Sequence, residues 1–127
     1  MNTIVAMKRR RLTGLMIALF IEYLLGVTLS TVINYDPTKH STVQSVFLVA
    51  HIAVAIGILI GAVFALVGSL REKALVAPSV IGLLAVLGSW GSGSEASSTG
   101  SSTATFVMAI CFAIAIASYG YSLFKTK

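Results

Sequence analysis

The sequence predicts an all-α integral membrane protein, a single domain that folds as a bundle of four transmembrane helices. Hydrophobic residues make up 57% of the 127 residues and charged residues only 10%, whereas a soluble domain is usually about a quarter charged. Four continuous apolar runs cover residues 12–32, 43–67, 74–90 and 103–124. Each is long enough to cross the hydrocarbon core, which takes about 17–25 helical residues. Because the runs do not alternate with polar residues, they indicate helices rather than barrel strands.

The basic residues predict the orientation. Eight of the nine lie at residues 8–11, 71, 73, 125 and 127, and only Lys39 falls on the other side of the predicted membrane. The positive-inside rule therefore places both termini in the cytoplasm of a multi-pass cell-membrane protein. A secretory signal is the alternative for the basic start, but the first apolar run is longer than a signal sequence and lacks a small-residue cleavage site. We expect no nucleic-acid partner, because a basic patch on a soluble fold is missing.

The first helix carries an acidic residue near its middle, Glu22. Gly14, Ala18 and Gly26 share its four-residue spacing, so the carboxyl group is expected on a face of small residues that turns into the bundle. A charge at mid-bilayer costs roughly 2.5–3.5 kcal/mol, and such residues are often functional. Glu22 is therefore expected to be neutral or paired, either as a structural hydrogen-bonding group or as a proton or ion relay.

The second helix carries His51. Its depth below the outer surface, about 12 Å, is close to the depth of about 16 Å for Glu22, so the two side chains are expected to come near each other. Such a pair suits a proton relay or a metal site, and a structural histidine is the alternative. A separate stripe of small residues is predicted to pack against the first helix: Ala50, Ala53, Gly57, Gly61, Ala65 and Gly68.

The third and fourth helices are expected to frame an outer loop. Trp90 marks the outer interface, and residues 91–103, rich in Gly, Ser and Thr, are predicted to form a flexible loop. In the fourth helix, Met108 and Cys111 lie on the predicted inward face. Both are expected to pack in the core, with a haem-ligand role as the alternative. An intrachain disulfide is excluded, because Cys111 is the only cysteine.

Two family resemblances bear on function. Residues 24–28 (LLGVT) and 49–53 (VAHIA) resemble one half of the heme A synthase group and of related four-helix proteins that bind haem b. The resemblance implies that His51 is an axial haem ligand. Those halves usually carry a second histidine on the matching helix, where this chain has Met108, and His/Met ligation of haem is known. His40, in the outer loop, is a poorer second ligand.

The second resemblance is to the small multidrug resistance transporters. Residues 18–22 (ALFIE), followed by Gly26 and Thr28, are similar to the first helix of these four-helix proteins. The resemblance implies that Glu22 exchanges protons for a cation. The aromatic pattern that such transporters use around their cation is missing from the second and third helices of this chain, and the strong charge bias disfavours insertion in both orientations.

We expect the protein to be an accessory or structural subunit of a larger membrane complex, with a respiratory or redox role through haem b bound by His51 and Met108. The alternative is a proton-coupled small-molecule transporter that uses Glu22. The sequence contains no nucleophile constellation, nucleotide-binding loop or metal-ligand cluster, so we expect no catalytic activity from the chain on its own. Glu22 and His51 are the residues expected to matter beyond packing.

Overall fold

A computed structural model describes residues 3–39 and 41–126 of the chain. They form an antiparallel four-helix bundle, and every helix is long and apolar enough to cross a membrane. The predicted multi-pass helical membrane class is therefore confirmed. The first helix ends in one π-helical turn. The elements are α1 (Thr3–Val27), the π turn (Thr28–Val32), α2 (Thr42–Glu72), α3 (Val76–Thr99) and α4 (Ser102–Lys125).

The helices form a closed ring in which α1 contacts α2 and α4, and α3 contacts α2 and α4. The basic end of the bundle holds residues 8–11, residues 71–73 and Lys125, and the loop end holds residues 33–39 and Ser41 together with the short connection between α3 and α4. At the basic end, Lys8 and Glu72 form an ion pair between the start of α1 and the end of α2. The most extensive helix contact is between α3 and α4.

Apolar side chains fill the centre of the bundle and also cover its outside. Outward-facing residues such as Phe20, Val49 and Phe106 are largely exposed, as expected of a surface in contact with lipid tails. Because the helices are apolar on nearly every side, no polar face marks their outer surface. The side of each helix that is buried is therefore determined by its packing against the other helices. The core comprises Leu12, Leu15, Leu19, Ile58, Ala62, Ala85, Val86, Phe112, Ala115 and Tyr119.

The predicted flexible loop over residues 91–103 is wrong, because α3 continues as a helix to Thr99. Hydroxyl groups within this stretch bond back to the helix, and Ser92 and Thr99 each donate to a carbonyl one turn earlier, at 2.7 and 2.8 Å. Only a short turn remains between the helices. Gly100 takes a left-handed conformation at φ 70°, and the Ser101 hydroxyl accepts a hydrogen bond from the first turn of α4.

The predicted packing face of α2 is only partly correct. The inward face instead follows Gln44, His51 and Ile58, which recur every seven residues. Of the predicted stripe, Gly61 does meet α1, since a Cβ placed there would lie 3.1 Å from Leu15 Cδ1. Ala53 and Gly57 are exposed, and a Cβ on Gly57 or Gly68 would meet nothing within 4 Å. The Leu15 side chain occupies the space at Gly61, so α1 meets α2 there through a large side chain and not through a face of small residues.

An ordered connection joins the π turn to α2. Gln44 Nε2 donates to the carbonyls of Asp36 and Lys39, at 2.7 and 3.2 Å, and the hydroxyl of Ser41 caps α2 by accepting from Gln44 N. Hydrogen bonds from the hydroxyl and backbone N–H of Thr38 hold the pKa of the exposed Asp36 carboxyl below its usual value. The loop therefore folds back onto the start of α2.

Candidate functional site

Glu22 lies in the centre of the bundle, with its side chain only 1% exposed. It continues the buried stripe of α1 formed by Leu12, Leu15 and Leu19, with spacings of three and four residues that keep one helix face inward. The prediction that Glu22 points into the bundle is therefore confirmed. The small residues expected on the Glu22 face do not all lie on it. Gly26 is buried, whereas Gly14 is exposed.

His51 on α2 meets Glu22. Its Nδ1 lies 3.1 Å from Glu22 Oε1, and the His51 side chain is 16% exposed. The predicted proximity of the two residues is therefore confirmed. Among the described residues, neither Glu22 Oε2 nor His51 Nδ1 has a hydrogen-bond partner of ordinary geometry. Because a buried polar atom without a partner is costly, this pair has capacity for a proton or for a polar group of a ligand.

Gly26, one turn beyond Glu22, lies where side chains from two other helices meet. A Cβ placed on Gly26 would lie 3.5 Å from His51 Cε1 and 3.7 Å from Met108 Cε. The Met108 sulfur in turn lies against α3, where a Cβ on Gly93 would come within 3.1 Å of it. The fold thus brings Glu22, His51 and Met108 to one level of the bundle.

Cys111 lies apart from this group. Its Sγ packs against α3, 3.0 Å from the position of a Cβ on Gly88, and it does not line the cavities beside Glu22 and His51. The position fits the expected packing role. His40, the other histidine considered as a ligand, lies outside the described residues.

Two adjoining cavities make the pair accessible from the loop end. The inner chamber, of ≈ 210 Å³, is lined by Glu22, His51 and Trp90 among others. The outer chamber, of ≈ 380 Å³, reaches the π turn and Tyr35 at the loop end. We refer to the two together as the cleft. The chambers lie side by side and share five lining residues: Leu48, His51, Gly93, Ser97 and Met108.

The walls of the cleft come largely from segments whose role the sequence analysis missed. The π turn contributes Ser30 and Thr31, and its widened geometry, with Ile33 N bonded to Thr28 O at 3.0 Å, is a local feature often found at functional sites. The helical extension of α3 contributes a further wall. The sequence contains a signal for this extension, since Gly93, Ser94 and Ser97 follow Trp90 at the helical spacing i, i+3, i+4 and i+7.

Below the pair, the cleft ends on apolar side chains. Ile58, Val86 and Phe112 line the floor of the inner chamber and belong to the hydrophobic core. Closer to the basic end, polar groups return, and the buried hydroxyls of Ser69 and Ser79 lie 2.8 Å apart. The bundle thus combines an accessible polar half at the loop end with an apolar barrier below Glu22.

Comparison of the chain with protein-family models, curated proteins and solved structures finds no match. Both family resemblances therefore stay predictions, and the chemistry of the site must be argued from its own residues. In the described part of the chain, no three His, Cys, Asp or Glu side chains converge as a metal-binding group. The ionisable chemistry of the cleft thus centres on Glu22 and His51.

Proposed function

We propose that the protein is a proton-coupled small-molecule transporter in which Glu22 and His51 form the proton-binding site. The observation that carries the proposal is the buried contact between these two side chains, 3.1 Å apart at the inner end of the cleft. The first apolar span ends at Val32, ten residues beyond Glu22, which places the carboxyl group about 15 Å from that end and near mid-bilayer. A single unpaired charge is unfavourable there.

The pair provides two charge states that a transporter needs. With one shared proton, carboxylate and imidazolium form a neutral ion pair, and a second proton leaves one positive charge in the low-dielectric centre of the bundle. A solute that contacts His51 or Glu22 in the cleft would bind one of these states better than the other, which couples its binding to the proton.

The cleft suits a small solute. Its chambers, of ≈ 210 and ≈ 380 Å³, approach the volume of small-molecule sites, about 300–1,000 Å³. Aromatic and apolar groups such as Trp90 and Phe112 alternate with hydroxyl groups along the walls. In the proposed orientation the basic end lies in the cytoplasm of the cell membrane, as the positive-inside rule requires, and the cleft faces the other side.

Proton flux into liposomes tests this function. Purified protein is reconstituted with a pH-sensitive dye inside, the outside is acidified, and valinomycin with potassium holds the membrane potential at zero. With a small organic cation enclosed in the liposomes as the exchanged solute, we expect wild-type protein to acidify the lumen faster than protein-free liposomes, and Glu22→Gln and His51→Ala to reduce the rate to that of protein-free liposomes. Cys111→Ala, a core position outside the cleft, should keep the wild-type rate. Equal rates in all variants would contradict the proposal.

A second proposal, haem binding, has one observation in its favour, the convergence of His51 and Met108 at Gly26. The Glu22 carboxylate beside His51 Nδ1 resembles the outer partner that commonly orients a ligating histidine, and leaves Nε2 for iron. Bound haem would supply one-electron transfer, which suits an accessory subunit of a larger redox complex in the membrane. The test is the absorption spectrum of the detergent-purified protein, with the co-purifying polypeptides identified from the same sample. A Soret band lost in His51→Ala would support haem, and a colourless protein would refute it.

A further inference from the structure

We propose that a groove between α1 and α2 at the basic end binds one anionic phospholipid, with an acyl chain in the groove and the phosphate at Arg11. The groove has a volume of ≈ 460 Å³ and extends from Met7 and Arg11 to Ala18 on α1. On α2 it follows Gly57, Gly61 and Gly68, and its inner wall reaches Ser79 on α3 and Ser122 on α4. The site is separate from the cleft and does not depend on the proposed transport function.

The groove follows the basic half of the α1–α2 interface, where the helices pack at Leu15 and Gly61 and leave open space on either side of that contact. Leu15 packs against Gly61, but a Cβ placed on Gly14, Gly57 or Gly68 would meet nothing within 4 Å. Small residues that would normally allow close helix packing therefore border open space. Since protein interiors leave few voids of this size, an apolar trough on a lipid-facing surface is expected to hold a lipid chain.

The length of the groove suits the first part of one acyl chain. From Arg11, where the phosphate is placed, to Ala18 the groove covers seven residues along α1, or about 10 Å. Half of the hydrocarbon core measures about 15 Å. A lipid of the leaflet at the basic end can therefore lay most of one acyl chain in the groove while its headgroup stays at the rim.

The charges at the rim select an anionic headgroup. Lys8, Arg11 and Glu72 border the groove, and Lys8 pairs with Glu72. Within the described residues, Arg11 forms no ion pair, so the rim carries one uncompensated guanidinium group. Its planar fork suits a phosphate, and basic pockets between transmembrane helices are known sites for anionic headgroups.

The same charges disfavour a second copy of the chain as the occupant. A second copy docked through the same face, with its basic end in the same leaflet, would bring its own Arg11 and residues 8–10 close to the same residues of the first copy. Like charges at that distance repel, whereas an anionic lipid neutralises the rim. Phospholipid is therefore the occupant that both the apolar floor and the basic rim favour.

Lipid binding to delipidated protein in mild detergent tests the site. Native mass spectrometry counts bound lipids, with phosphatidylglycerol and phosphatidylcholine of identical acyl chains as the probes. We expect one phosphatidylglycerol per wild-type chain, bound in preference to phosphatidylcholine. Arg11→Gln should reduce that preference about fivefold, the effect of about one basic residue near an anionic surface. Gly57→Leu, which fills the groove, should abolish binding.

Gly91→Leu is the matched control, because Gly91 also borders open space in a helix but lies on α3, outside the groove. It should bind phosphatidylglycerol as wild-type protein does, and the helicity of each variant by circular dichroism shows that it is folded. Wild-type binding by Gly57→Leu would overturn the proposal. So would dimers in place of bound lipid, or competition by glycerol phosphate alone that equals that of the intact lipid.

Discussion

The closest approach of α3 and α4 gives a sharp stability prediction. Gly82 lies against the ring of Tyr119, and a Cβ on Gly82 would be 2.6 Å from Cζ and 2.7 Å from Cε2. Ordinary carbon contacts are about 3.5–4.0 Å, so Gly82→Ala requires the ring or the helix to move by roughly 1 Å. Tyr119 is 0% exposed, and its ring has no free space into which it can turn.

The size of the effect follows from two opposing terms. Overpacking a core typically lowers the free energy of unfolding by about 1–3 kcal/mol. Replacing a helical glycine with alanine raises it by roughly 0.5–1 kcal/mol. Gly82→Ala should therefore lower the free energy of unfolding by about 1 kcal/mol. Gly91→Ala is the control with the same chemical change. Since a Cβ at Gly91 meets nothing within 4 Å, it should raise the free energy of unfolding.

Cys111 provides the assay. It is the only cysteine and is partly buried, so a thiol-reactive fluorescent dye reports its exposure as the protein unfolds in a titration of mixed micelles with sodium dodecyl sulfate. The unfolding midpoint should fall in Gly82→Ala and rise in Gly91→Ala. If the two variants unfold at the same midpoint, the close packing of α3 on α4 inferred from Gly82 is wrong.

Three further predictions concern hydrogen bonds and the loop. Ser69→Ala or Ser79→Ala alone should destabilise the protein, by about 1–3 kcal/mol, because each leaves a buried hydroxyl without its partner. The double variant should cost less than the sum of the two, as a double-mutant cycle in the same unfolding assay would show. Gln44→Ala should speed hydrogen exchange in residues 33–41, measured by mass spectrometry, since it removes the bonds that hold the loop. The pKa of Asp36 is lowered in the folded loop, so its carboxylate should help to order the loop at every pH above the pKa of Asp36 in the unfolded chain. This contribution should be lost as the pH falls through the pKa of Asp36 in the folded protein.

The location of the central pair was predictable, because membrane depth and helix geometry constrain it strongly. Glu22 and His51 are the acidic and basic groups that the apolar spans carry near their centres. Helices of adjacent spans run antiparallel, so residues at similar depth on neighbouring helices come close when both face inward. That argument needs only the ends of the spans and the rise per residue.

The face of α2 and the length of α3 were harder to predict, for different reasons. Because α2 is apolar on all sides, its sequence has no polar face to mark the outside, and the small-residue stripe with Gly57 was a misleading guide. The end of α3 was misread because hydropathy treats Ser92 and Thr99 as loop residues. Their hydroxyls bond to carbonyls of their own helix, which lets a polar segment continue as a helix.

Trp90 provides the most direct test of the proton-binding pair. It is the only tryptophan and lines the same chamber as Glu22 and His51, so its fluorescence should respond to the charge on the pair. In a pH titration of the detergent-purified protein, wild-type and Cys111→Ala should show the same transition and His51→Ala none. In Glu22→Gln the transition should differ from that of wild-type protein, because the carboxyl group 3.1 Å from His51 Nδ1 is lost. A fluorescence signal that is constant with pH in wild-type protein, or a transition unchanged in both pair variants, would contradict the account.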